Sequence, residues 1–226
     1  MNILIVSATP FEIKPLQEYL EKHFIKNGPY QYQRGKVQAS ILISGVGLPL
    51  MAYALGRVLG AKEVNLAINA GIAGAFNRTL EIGQVVQVVS ERFGDLGVQE
   101  ADGRFTDVHE MGLIEASQPP FTGGRLANRS AEAYAFLPIA HGLSVNRVHG
   151  FQADIDAIQK KYPDADIESM EGAAFFYACL LEQIPFLEIR SISNYVEPRN
   201  RENWNIPLAI ERLNETLIQL IQSVSG

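Results

Sequence analysis

Short apolar runs alternating with longer amphipathic stretches are the feature that most restricts the fold of this chain of 226 residues. Ile3–Val6, Val64–Ala70, Gln84–Ser90, Gly142–Val148, Ala165–Glu168 and Phe186–Ser193 are too short for core helices. Runs of this length and character read as strands, several of them covered on both faces. Between them, Phe11–Phe24 places Ile13, Leu16, Leu20 and Phe24 at helical spacing, with Pro10 just ahead. Leu48–Leu59 reads as a helix opened by Pro49 and closed by Gly60; Asp154–Lys161, Met170–Leu181 and Asn203–Ser223 read as three more. Tyr30–Arg34 and Val37–Ser44 flank Gly35-Lys36 as a hairpin. The alternation predicts an α/β fold with a largely parallel or mixed sheet.

Residues 93–130 break the rhythm: they are rich in Gly, Pro and polar residues, and a loop of that length in a compact domain is usually functional. No repeat, low-complexity tract or linker divides the chain, so residues 1–226 are expected to form one domain. A hydrophobic share of 47% beside 19% charged residues excludes disorder. The net charge of −6 has no basic cluster within it, which argues against nucleic-acid partners. No apolar run reaches the ~18 residues of a membrane span. The N-terminus reads as a strand rather than an export signal, and the expected location is the cytoplasm. Without such a signal, the N-x-S/T triplets at Asn77, Asn128 and Asn214 are chance matches.

No cofactor or metal is expected. Gly45-Val-Gly47 lacks the third glycine of a dinucleotide fingerprint, and no phosphate-binding GxxxxGK[ST] loop exists. The four histidines share no ligand spacing, and the one cysteine, Cys179, lies in an apolar helix as a small hydrophobe. Polar groups gather instead at Glu12, at an Asn69–Gly74 loop, at Ser169-Met-Glu171 and at Ser193-Asn194. Each has an ordinary structural explanation. Thr9-Pro-Phe-Glu12 is a capping box, Glu171 a first-turn acid behind a Ser169 cap, and Asn194 a turn residue after a strand. Val148 reads as strand core, and Arg199-Asn-Arg201 as a solvated charged loop before the last helix.

Ser44-Gly-Val-Gly47, Asn69-Ala-Gly-Ile-Ala-Gly74, Ile82-Gly-Gln-Val-Val86, Ser169-Met-Glu-Gly-Ala-Ala174 and Arg190-Ser-Ile-Ser-Asn194, in this order, resemble the nucleoside phosphorylase and nucleosidase superfamily over nearly the whole chain. Ser191–Arg199, read as Ser-Ile-Ser-Asn-Tyr-Val-Glu-Pro-Arg, is similar to its futalosine-hydrolysing members. The resemblance implies a three-layer αβα sandwich around a mixed central sheet, usually assembled as a homodimer. It implies that Glu12 positions and deprotonates an attacking water, that Glu171 holds the ribose hydroxyls and that Met170 packs on the sugar. Ser169 stands where many relatives have a further Glu. Relatives that cleave 6-aminopurine nucleosides carry Asp at the position of Asn194. An Asn there offers an amide oxygen to a protonated ring nitrogen and an NH₂ to a 6-oxo group, which selects a 6-oxopurine. Val148 sits where an aromatic often stacks on the base. Asn69 and Ile72 occupy phosphate-binding positions without offering positive charge, so water is the expected nucleophile. Arg199, Arg201 and Trp204 would close over an aromatic carboxylate at the 5′ end. The implied reaction is the hydrolysis of futalosine to hypoxanthine and dehypoxanthine futalosine, a step of menaquinone biosynthesis. The alternatives are a methylthioadenosine/adenosylhomocysteine nucleosidase, a 6-oxopurine nucleoside phosphorylase, and a nucleoside-binding protein without catalysis.

Overall fold

The first strand, β1 (Asn2–Ser7), shows why the short runs are apolar throughout. Ile3 and Ile5 face one hydrophobic cluster with Leu16, Leu20 and Leu217, while Leu4 and Val6 face another with Met51, Leu55 and Phe176. With helices on both faces, neither side of the strand meets water, and the alternating polar residues of a one-sided sheet disappear.

The computed structural model describes residues 1–61, 63–133 and 135–225. After β1 come α1 (Lys14–His23), β2 (Ile25–Gly28), β3 (Gln31–Arg34), β4 (Val37–Ile43), α2 (Leu48–Leu59), β5 (Leu66–Ala75) and β6 (Val85–Phe93). The middle of the chain supplies β7 (Gly97–Gln99), β8 (Phe105–Asp107), β9 (Phe121–Thr122), β10 (Arg125–Ala127) and α3 (Arg129–Ala133). It is followed by β11 (Ile139–Ser144), α4 (Gln152–Lys161), β12 (Ile167–Ser169), α5 (Gly172–Leu181), β13 (Phe186–Tyr195) and α6 (Ile206–Ser225). Among the described residues, no helix is long and apolar enough to cross a membrane.

Eleven strands form one mixed sheet in the order β2-β3-β4-β1-β5-β12-β11-β6-β10-β9, with β13 bonded to both β5 and β6. Because β13 bridges β5 and β6 while β12 and β11 join the same two strands from the other side, the centre of the sheet closes on itself. Helices α1 and α6 cover one face and α2 and α5 the other. The α/β class with a mixed central sheet agrees with the sequence reading, as do the hairpin and the bounds of α2.

Three expectations need correction. The Asn69–Gly74 segment is not a loop: β5 runs straight through it to Ala75, because β1, β12 and β13 all bond to it. Its glycines serve close approach rather than turning. A Cβ on Gly71 would collide with Arg190 Nη1, and one on Gly74 would lie 3.0 Å from Val196 Cγ2. Val148 is not strand core either. β11 stops at Ser144, where its ladders to β6 and β12 end, and Val148 is 38% exposed in the loop beyond. Residues 93–130 are not one loop; they carry the β7–β8 and β9–β10 hairpins.

The C-terminal helix fixes the entry to α1. Asn214, 2% exposed on α6, accepts from the Leu16 amide at 3.0 Å and donates to the Glu12 carbonyl at 2.8 Å. The Leu16 amide is a first-turn donor with no partner inside α1. We expect Asn214→Ala to leave both backbone groups unpaired and to cost about 1–3 kcal/mol. A denaturant midpoint equal to that of the wild type would refute this role.

Candidate active site

Side chains at the carboxyl ends of the parallel strands β1, β5 and β13 meet those from β12, which runs antiparallel to β5. β5 and β13 run parallel, with Arg190 opposite Gly71 and Asn194 opposite Gly74 after a register shift past Ile192. Two groups of side chains result, separated along β5 by two to three residues, or roughly 7–10 Å.

Glu12, 8% exposed, anchors the first group. Its Oε2 accepts from the Thr9 amide at 3.0 Å, from Thr9 Oγ1 at 2.9 Å and from Ser7 Oγ at 3.3 Å, while Oε1 accepts from the Ile72 amide at 3.2 Å. The expected capping box does not form: α1 begins at Lys14 with Ile13 at its N-cap and no side-chain cap bond, so Thr9 and Glu12 close the turn ahead of the helix instead. One oxygen reaches back to Thr9, and the other turns towards β5. Ile72 contributes its amide and a half-buried side chain. Glu171, 6% exposed, immediately precedes α5, and its Oε1 accepts from the Gly47 amide at 2.9 Å. The Ser44–Gly47 motif thus serves to hold this carboxylate; Gly47 has φ 101°, a conformation glycine adopts freely. Burial raises the Glu171 carboxyl above the ordinary range, opposed by Arg190 and the Gly47 amide. Met170 beside it is half-buried. The cap is shared: Ser169 Oγ accepts from the Gly172 amide at 3.4 Å and Ser144 Oγ from the Ala173 amide at 2.8 Å.

Behind this group lies a charged core that the sequence reading missed. Arg190 is 1% exposed, donates from Nε to Glu188 Oε1 at 2.9 Å, and stands near Glu12, Glu91 and Glu171. Burial opposes its charge, but the four carboxylates outweigh that and hold it firmly protonated. Glu91, fully buried, goes the other way: burial first, and Glu188 beside it second, push its carboxyl well above the ordinary range. Its Oε2 accepts from Ser144 Oγ at 2.9 Å. The signal for this core is present in Phe186-Leu-Glu-Ile-Arg190, where charged residues interrupt a buried strand.

The second group surrounds a cavity of about 70 Å³ lined by Gly74, Val148, His149, Glu168, Asn194, Arg199 and Trp204, with Tyr195–Glu197 closing the remainder. The Asn194 amide is oriented by its neighbours. Ser193 Oγ donates to Oδ1 at 2.7 Å, and Nδ2 donates to the Tyr195 carbonyl at 2.9 Å, which leaves one N–H without a partner among the described residues. Arg199 lies with its guanidinium carbon 5.1 Å from the Trp204 ring centre. Arg201 is 5.9 Å from the same ring but is exposed and not part of the cavity wall. The structure thus gathers Val148, Asn194, Arg199 and Trp204 at one end, and Glu12, Ile72, Met170 and Glu171 at the other. His149 and Glu168, which no motif singled out, belong with the cavity group around Asn194. Cys179 is fully buried, and burial pushes its thiol up, which leaves it inert.

A family model described as the Phosphorylase superfamily matches residues 2–224. The futalosine hydrolase of Acidothermus cellulolyticus is 32% identical over 191 residues, covering 83% of this chain and 77% of that protein. The 5'-methylthioadenosine/S-adenosylhomocysteine nucleosidase of Maridesulfovibrio salexigens is 29% identical, covering 87% of each. Among solved structures, futalosine hydrolase of Helicobacter pylori strain 26695 superposes with a TM-score of 0.73 at 16% identity, over 99% of this chain and 98% of that one.

The Glu91 carboxyl generates a prediction. With its folded value above its unfolded one, the stability it contributes is full below the ordinary carboxylate range and is lost as pH rises through the raised value. Glu91→Gln keeps a neutral group there at every pH. The variant should therefore be more stable than the wild type at neutral pH, with an advantage that shrinks towards pH 4.5. Denaturant unfolding at several pH values checks this, and a gap that does not change with pH would contradict it.

Proposed function

Because this chain belongs to the phosphorylase superfamily, we propose that it is a nucleosidase that hydrolyses the N-glycosidic bond of a 6-oxopurine nucleoside, with futalosine as substrate and hypoxanthine as leaving base. Relatives named for futalosine and for methylthioadenosine match at similar identity, 32% and 29%. The choice between them rests on Asn194. Asn194 lines the cavity, and in this reading its second N–H meets the carbonyl of a 6-oxopurine, whereas an exocyclic amine would meet it donor to donor.

In this reading Glu12 is the base. Oε2 is tied to Thr9 and Ser7, which leaves Oε1, beside the Ile72 amide, to orient a water and take its proton as the water attacks C1′. The C1′–N9 bond breaks and its electron pair leaves with the purine, which Asn194 receives. Positive charge grows on the ribose ring. Glu171, held by Gly47, meets the ribose hydroxyls with Met170 against the sugar, and the carboxylates around a single guanidinium favour that charge electrostatically. The separation of the two groups along β5 suits a ribose between a water site and a base site. Val148, Arg199 and Trp204 wall the base end, and exposed Arg201 is left to meet a 5′ carboxylate.

Water rather than phosphate is the nucleophile because the cation beside β5, Arg190, is enclosed and matched by carboxylates. Release of hypoxanthine is the chemistry of a menaquinone-pathway enzyme in the cytoplasm. A homodimer finds support in exposed Leu50, Tyr53, Leu96 and Leu181 on and beside the α2–α5 face.

Purified protein incubated with futalosine, inosine and methylthioadenosine, with and without phosphate, should release base fastest from futalosine and at a rate that phosphate does not change. Preference for methylthioadenosine, or dependence on phosphate, would overturn the assignment. Glu12→Gln should lower kcat by about 10²–10⁴ with KM little affected. Unchanged turnover would remove Glu12 from the mechanism.

A further inference from the structure

His149 and Glu168 form a pair at the wall of the base cavity to which the mechanism above gives no task. Glu168 is 4% exposed, and the His149 side chain is 13% exposed. Both carboxylate oxygens of Glu168 are used by the same residue: Oε2 accepts from the His149 backbone N–H at 3.0 Å, and Oε1 accepts from His149 Nδ1. A carboxylate accepting at both oxygens requires Nδ1 to carry the ring proton. With that proton on Nδ1, the lone pair of a neutral ring sits on Nε2, which has no partner among the described residues, and both side chains line the cavity that holds Asn194.

We propose that His149, held by Glu168 with its proton on Nδ1, is a specificity-determining residue that accepts the N1–H of a 6-oxopurine through Nε2. On such a base the edge presents an acceptor, O6, beside a donor, N1–H. The cavity presents the complement, a donor from Asn194 Nδ2 and an acceptor from His149 Nε2. A 6-aminopurine reverses both positions, placing an amine against the Asn194 N–H and a bare N1 against the Nε2 lone pair. Asn194 reads only the 6-position of the base, and the N1 position needs a second group. A histidine whose tautomer is fixed by a buried carboxylate offers only an acceptor there. The inference rests on the nucleosidase reading and assigns its base selectivity to two residues rather than one.

Glu168→Gln is the informative variant, because the backbone bond dictates how the new amide sits. The Gln oxygen must face the His149 N–H, so its NH₂ faces Nδ1. Nδ1 must then accept, the ring proton moves to Nε2, and the edge that accepted N1–H becomes a donor suited to the bare N1 of adenine. Binding of free hypoxanthine and adenine, measured by calorimetry, should show the wild type preferring hypoxanthine. In Glu168→Gln that ratio should shift towards adenine by about tenfold or more, the scale on which one mispaired buried group acts. His149→Phe, which keeps a ring without nitrogens, should bring the ratio towards one and carries the test if Glu168→Gln does not fold. A merely structural role would weaken both bases alike, and that result, or an unchanged ratio, overturns the proposal. A wild type that binds neither base, or that favours adenine, instead overturns the nucleosidase reading on which the proposal stands.

Discussion

Arg190 is enclosed by the strands around it, with Glu188 bonded to its Nε and Glu12, Glu91 and Glu171 close enough to raise its affinity for its proton. Removing the carboxylate bonded to a buried guanidinium typically costs about 3–5 kcal/mol, because the remaining charge loses its compensation. The packing around Arg190 is correspondingly strict. β5 must have a glycine opposite it, since any side chain on Gly71 would occupy the place of the guanidinium. That pairing sets the register of β13 against β5, and the register then carries Asn194 to Gly74 at the other end of the site. One charge deep in the sheet thus spaces both groups of functional side chains.

The positioning of Glu12 follows a second route. Its carbonyl is tied to Asn214 of α6, and its two carboxylate oxygens are divided between Thr9 and the Ile72 amide. Residues some two hundred positions apart therefore decide where the first carboxylate points. The turn before α1 and the site geometry are served by the same side chain because a carboxylate has lone pairs enough for both. Glu171 follows the same logic, with a glycine amide from the Ser44–Gly47 turn in place of a cap.

Much of the architecture was legible because each strand and helix is covered in a way that leaves a periodic trace. The apolar run of β1 records helices on both faces, and Pro49 with Gly60 records both ends of α2. The errors fall where local chemistry and tertiary pairing disagree. Asn69–Gly74 has the composition of a loop, yet three neighbouring strands supply its backbone partners, and β5 extends through it. Val148 continues an apolar pattern past the point where β11 has a neighbour to bond. The short edge strand β2 left no trace, since its exposed Ile25 and Lys26 show no buried face.

The sequence by itself determined the α/β class and most element bounds, which depend on neighbours within a few residues, where spacing and residue type suffice; which carboxylates and which amide to look for came from the resemblance to a family. Only the tertiary structure decided what these groups do to one another. It turned the two oxygens of Glu12 in different directions, enclosed Arg190 among four glutamate carboxyl groups, and set His149 against Glu168 beside Asn194. Each of these depends on the register between strands distant in the chain. Burial and the exact partner of a polar atom are properties of that register, and no local pattern of residues encodes them.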